Sequence, residues 1–103
     1  MIMKYILEYV AICDYLVKNQ VKKRRGYLVV DREALETMLN KNRFEPAKDK
    51  LRTWKQMNWI ATDEERLTKR IYQDGKYVPM VFICEKVYLE LKRLNGIGSE
   101  NGR

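Results

Sequence analysis

The residues best equipped for chemistry in this 103-residue chain are Arg52, Thr53 and Gln56, with Asp49 one helical step before Arg52. An arginine fork matches O6 and N7 of guanine, and a glutamine amide pairs with an adenine edge. Thr53 can reach a base edge, a thymine methyl group or a phosphate. Asp49 either accepts from cytosine N4 or holds Arg52 in place as an ion pair along the helix. Lys41, Arg43, Lys48 and Lys55 surround this group, Lys22-Lys23-Arg24-Arg25 precedes it, and Lys69, Arg70 and Lys76 follow it. Such cations suit phosphates, where they add affinity rather than sequence choice.

For these side chains to act together, residues 45–58 must be a helix. Ala47, Leu51, Trp54 and Asn58 then align on one face and Asp49, Arg52, Thr53 and Gln56 on the other, with Lys48 and Lys55 on a flank. Pro46 fits the first turn, where a missing N–H costs nothing. Trp54 shares its face with Leu51 and therefore reads as core rather than as a base-stacking platform. Upstream, Asp31 is suited to cap a helix over 32–39, with Ala34, Leu35, Met38 and Leu39 inward. Residues 40–43 make the turn between the two helices, and 26–30 read as a strand.

Residues 3–19 read as the first helix. Tyr5, Ile6, Tyr9, Val10, Ile12, Cys13, Leu16 and Val17 share an arc of about 160°. Lys4, Glu8, Asp14 and Lys18 fall on the other side, with Leu7, Ala11 and Tyr15 among them. A helix on a small monomer needs a stripe only a little over about 100° wide. The surplus implies either a second copy of the chain or a central helix wrapped by its own domain. The cations at 22–25 belong on a solvated loop, as a charged turn or a phosphate-contacting arm.

Beyond 58, Trp59-Ile60 begins extended structure. Strands at 67–73 and 76–83 are joined by Asp74-Gly75, a strong hairpin signal because Gly75 accepts positive φ. Tyr72 and Tyr77 then face each other across the hairpin. Pro79 has no N–H and belongs at an edge or beyond the reach of the first strand. Residues 61–66 fit a bulge or a single helical turn. A last helix at 85–94 turns Val87, Tyr88, Leu91 and Leu94 inward, and Gly96 ends it.

Lys and Arg total 21 against 14 acidic residues, a net charge of +7 that favours polyanions. The chain has no histidine, which removes the commonest general base and metal ligand. Cys13 and Cys84 lack metal-site spacing and suit a reducing, cytoplasmic setting. No glycine-rich phosphate loop or GxSxG motif occurs, so an enzyme is not expected. Asp63-Glu64-Glu65 reads as a solvated acidic turn rather than a cation site. The expected organisation is one domain over 1–95 and a fraying tail over 96–103, with no signal peptide and no membrane span.

In the order helix, strand, helix, helix, strand, strand, helix, the chain resembles the winged helix-turn-helix superfamily over 3–94. Ala47-x-x-x-Leu51-x-x-Trp54-x-x-Met57-Asn58-Trp59-Ile60 is similar to the recognition helix and following strand of these domains. Two departures stand out: Asn58 where glycine is common, and the acidic Asp63-Glu64-Glu65 in the wing region. The resemblance implies an α+β fold, a three-helix core with a small antiparallel sheet. It further implies that helix 45–58 enters the major groove of double-stranded DNA and that the 67–83 wing contacts phosphates. A small transcriptional regulator or accessory replication factor is the expectation. It would act as a homodimer through helix 3–19, with 85–94 as a further contact, and without cofactor, metal or small-molecule ligand. The alternative is a winged-helix protein-interaction module, or adaptor, that does not touch DNA.

Overall fold

Two tight turns of the same kind organise the sheet. In the computed structural model, which describes residues 2–62 and 69–96, Asp74 and Gly75 both have positive φ, 51° and 82°. They join β4 (Lys69–Gln73) to β5 (Lys76–Cys84), with Tyr72 opposite Tyr77. Arg25 and Gly26 repeat the geometry, with φ of 50° and 86°, and join β1 (Lys22–Arg24) to β2 (Tyr27–Asp31). Two positive φ values in a two-residue loop match the right-handed twist of the strands they connect.

The second hairpin corrects the expected loop at 22–25. Its three leading cations form an exposed edge strand, Lys22 opposite Val29 and Arg24 opposite Tyr27. Alternation sends neighbouring cations to opposite faces, so the run need not be a loop to relieve its repulsion. Charged residues on an edge strand also discourage pairing with another chain.

β2 pairs β5 antiparallel from Tyr27–Cys84 to Asp31–Met80, and β3 (Ile60–Ala61) and β4 pair the other side of β5. Pro79 lies opposite Arg70, one residue short of where β2 reaches β5. Counting from the two-residue turn, this is a pair that exchanges no hydrogen bonds, so the missing N–H of Pro79 faces the side β2 has not yet covered.

The helices are α1 (Ile2–Lys18), α2 (Arg32–Leu39), α3 (Ala47–Gln56) and α4 (Glu85–Asn95). Asp31 caps α2 as expected, its carboxylate accepting from the Ala34 amide at 3.1 Å. Gly96 ends α4 with φ 64°. The class is α+β, four helices with an antiparallel sheet among the described residues, and it holds two more strands than expected, β1 and β3.

The core joins α1 to everything else. Tyr9, Val10 and Cys13 of α1 are fully buried with Leu28, Leu35, Leu39, Leu51, Trp54, Val81 and Ile83. Tyr9 packs edge-on to Trp54 at 4.9 Å and tilted to Trp59 at 4.8 Å. Its hydroxyl lies within donating reach of the Trp59 and Cys84 carbonyls, at 3.2 and 3.0 Å. On the far side of α1, Tyr88 and Lys92 of α4 both donate to Asp14.

Several expected placements are corrected. Glu8, expected on the solvated side of α1, is buried. Leu94, expected inside, is 64% exposed because α4 turns only Tyr88, Val87 and Leu91 to the core. Ala34 and Asn58 are exposed as well. Asn58 has left the helix with φ 62°, a conformation asparagine tolerates better than most residues. Of the expected strand at 67–73, residues 67 and 68 lie outside the described residues, as do Asp63-Glu64-Glu65 and the 97–103 tail.

Candidate nucleic-acid interface

α3 is held by its back. Ala47, Leu51 and Trp54 are buried, and so is a fourth residue that sequence reasoning missed, Lys50. The Lys50 ammonium is 0% exposed and donates to three oxygens: Glu8 Oε2 at 2.9 Å, Leu39 O at 2.7 Å and the Asn42 carbonyl. An ammonium has three donors, so all are used. One acceptor is on α1, one ends α2 and one lies in the turn between α2 and α3. A single side chain therefore fixes α3 against both earlier helices. Asn42 Nδ2 adds a bond to the same Glu8 oxygen at 3.1 Å.

The turn between α2 and α3 is closed by rings and cations. Phe44 stands edge-on to Tyr5 at 5.4 Å, with Lys50 Nζ 4.2 Å from its centroid and Lys4 Nζ 4.8 Å. Tyr5 donates to Glu45, and this bond, with burial second, raises the phenol above its ordinary range. The signal for Lys50 was present in its position. It lies three residues after Ala47 and four before Trp54, on the inward side of the helix. A lysine there, with a glutamate among the apolar positions of α1, is readable as a buried pair only once α1 is known to face α3.

The opposite face of α3 is open. Arg52 and Gln56 are exposed, and Asp49 and Thr53 half-buried. Arg52 Nη1 donates to Asp49 Oδ1 at 3.1 Å, so of the two roles weighed for Asp49, holding Arg52 is the one this geometry displays. Lys48 is exposed and Lys55 half-buried on the same helix, and Lys41 and Arg43 are exposed in the preceding turn. These eight residues lie on α3 and the turn leading into it.

The remaining cations lie elsewhere. Lys76 is exposed at the start of β5, and Lys69 and Arg70 are in β4. Lys22, Lys23, Arg24 and Arg25 are exposed at the other hairpin, where Lys23 is engaged by Glu85 at 2.9 Å. The two hairpin turns sit at opposite ends of β5, separated by about 27 Å of strand rise. A duplex touching both must run for most of a helical turn, so the cations of the two hairpins do not form one cluster with each other.

Among the described residues no group of three His, Cys, Asp or Glu side chains is placed to hold a metal ion, and no helix is long and apolar enough to cross a membrane. Comparison with known proteins found no family model that matches the chain and no curated protein that matches it.

Proposed function

We propose that this chain is a winged-helix, double-stranded DNA-binding protein. It places α3 in the major groove and the β4–β5 hairpin against phosphates. Arg52, Gln56 and Thr53 read bases, with Asp49 orienting Arg52. Lys41, Arg43, Lys48, Lys55, Lys69, Arg70 and Lys76 contact the backbone, and Lys22 to Arg25 contact phosphates farther along the duplex. The observation that carries this reading is the contrast between the two faces of α3. Its back is locked by Leu51, Trp54 and the fully bonded Lys50, while Arg52, held by Asp49, and Gln56 are exposed on its front. A rigidly seated helix loses little entropy on docking. The role is that of a small cytoplasmic regulator or accessory replication factor acting as a homodimer, so that two copies of α3 read two half-sites.

Titration by fluorescence anisotropy against duplex DNA, single-stranded DNA and RNA at two salt concentrations tests this reading. Preferential duplex binding that weakens steeply with salt is expected. The adaptor reading draws on the exposed Tyr72, Tyr77 and Leu89, and it predicts no salt-sensitive duplex binding at all.

A further inference from the structure

We infer that the exposed tyrosine pair near the tip of the β4–β5 hairpin is a stacking site for unpaired bases, so that the preferred ligand is a duplex opening into single strands rather than an uninterrupted one. The inference rests on the DNA-binding reading above and names the ligand of its hairpin.

The pair is built by the sheet. Tyr72 and Tyr77 stand directly opposite one another, next but one to the Asp74-Gly75 turn. Counting from that two-residue turn, they are a pair that exchanges no hydrogen bonds, the closer of the two kinds. Their rings meet edge to face at 68°, with 5.1 Å between centroids. Such a contact steadies a hairpin. It nevertheless leaves both residues 64% exposed. Alternation along β5 puts Tyr77 and exposed Pro79 on the face that carries buried Val81 and Ile83. The core face of the sheet therefore runs on past the helices that cover it and ends in aromatic rings.

Charge says what the rings take. Lys76, beside Tyr77, is exposed, and Lys69 and Arg70 belong to the same hairpin. Aromatic rings set among cations suit a single strand, the rings taking base faces and the cations phosphates. Tyr77 and Pro79 also wall a trough of about 510 Å³, with Glu33 and Glu36 of α2 on its other side. Arg32 in that trough is already engaged by Glu36 at 3.0 Å. The carboxylates repel phosphate and can accept from an exocyclic amine such as N4 of cytosine. A strand is thereby sorted, with bases inward and phosphates toward Lys76.

An intact duplex does not offer such bases. Its base faces are covered by their neighbours. Its minor groove, about 6 Å wide, is too narrow for two rings whose centres alone stand 5.1 Å apart. Base faces open where a duplex forks or is gapped. From Tyr77 to Ile83, the partner of Ile60 just beyond α3, β5 rises about 20 Å. At about 3.4 Å per base pair, the opening lies within about six steps of the groove held by α3. Such a ligand suits the accessory replication role better than that of a regulator.

Fluorescence anisotropy on the full chain tests the inference, with one duplex sequence in blunt form and in a form forked at one end by short unpaired arms. Wild type should bind the fork about tenfold more tightly than the blunt duplex, the share of one stacked base. Tyr72→Ala combined with Tyr77→Ala should bring that ratio to about one. Tyr72→Phe combined with Tyr77→Phe keeps both rings and should retain it. 2-Aminopurine placed in an unpaired arm gives a readout that needs no alanine variant. Its fluorescence should be quenched on binding by the wild type and by the phenylalanine variant. Equal binding of fork and blunt duplex by the wild type overturns the inference and leaves the DNA-binding reading standing. A fork preference that survives both alanines, or 2-aminopurine fluorescence that does not change on binding, overturns it as well. Binding of neither form overturns the inference together with the DNA-binding reading.

Discussion

Replacing Lys50 by methionine should be among the most damaging single changes in this protein. Methionine keeps the length and the apolar stem but removes the ammonium. Three acceptors then lose their donor: Glu8 Oε2 at 2.9 Å, Leu39 O at 2.7 Å and the Asn42 carbonyl. Glu8, whose side chain is 3% exposed, is left as an uncompensated charge with only Asn42 as a partner. Breaking a buried pair from one side costs about 3–5 kcal/mol. That is a large part of the roughly 5–15 kcal/mol typical of a whole domain. At about 4–8 °C per kcal/mol, the melting temperature should fall by more than about 12 °C. The assay is urea unfolding followed by circular dichroism, with Lys50→Met, Glu8→Leu and the double variant forming a cycle. The double variant removes both charges and should recover about 2 kcal/mol or more relative to the sum of the singles. The carbonyls of Leu39 and Asn42 remain short of a donor, so recovery should be incomplete. A Lys50→Met cost below about 1 kcal/mol, or a double variant that merely adds the singles, would refute the clamp.

Four further outcomes are expected. Arg52→Ala should weaken binding to the preferred duplex by about 1–3 kcal/mol and relax its sequence preference, as read in the anisotropy titration. Neutralising Lys22, Lys23, Arg24 and Arg25 should weaken every sequence alike and flatten the salt dependence by at most about one unit of slope per phosphate lost, with Lys23 contributing least because Glu85 already engages it. Burial, and for Tyr88 also its bond to Asp14, pushes the Tyr9 and Tyr88 phenols above their ordinary range. Their contribution is complete below the unfolded tyrosine value near about 10 and is lost as pH rises beyond it, so urea stability should fall at alkaline pH, and less so in Tyr88→Phe. Asn58→Gly should leave stability unchanged or raise it by up to about 1 kcal/mol in the same melts, because glycine adopts φ 62° without strain.

Much of the local structure is legible in the chain. Asp31 as a cap, Asp74-Gly75 as a turn, Gly96 as a helix end and Trp54 as core each follow from covalent geometry or helical spacing. The β1–β2 hairpin was not legible in the same way. Its turn uses Arg25 at a positive-φ position where asparagine or aspartate is the usual signal, and its strand consists of cations. Pairing with β2, itself held against β5, overrides that weak local preference. Leu94 misled for the converse reason, since periodicity continues to the end of a helix whether or not a partner is there to cover it.

By itself the sequence determined an α+β chain of basic character and a polar, arginine-bearing face on residues 49–56. These depend on residue type and on periods of two and 3.6, which a linear string contains. Only the tertiary structure decided that Glu8 and Lys50 meet in the interior, that Asn42 and the end of α2 complete the site, and that the two cationic hairpins stand at opposite ends of β5. Each of these joins residues far apart in sequence, and a charge's identity says nothing about burial until its partner's position in space is fixed.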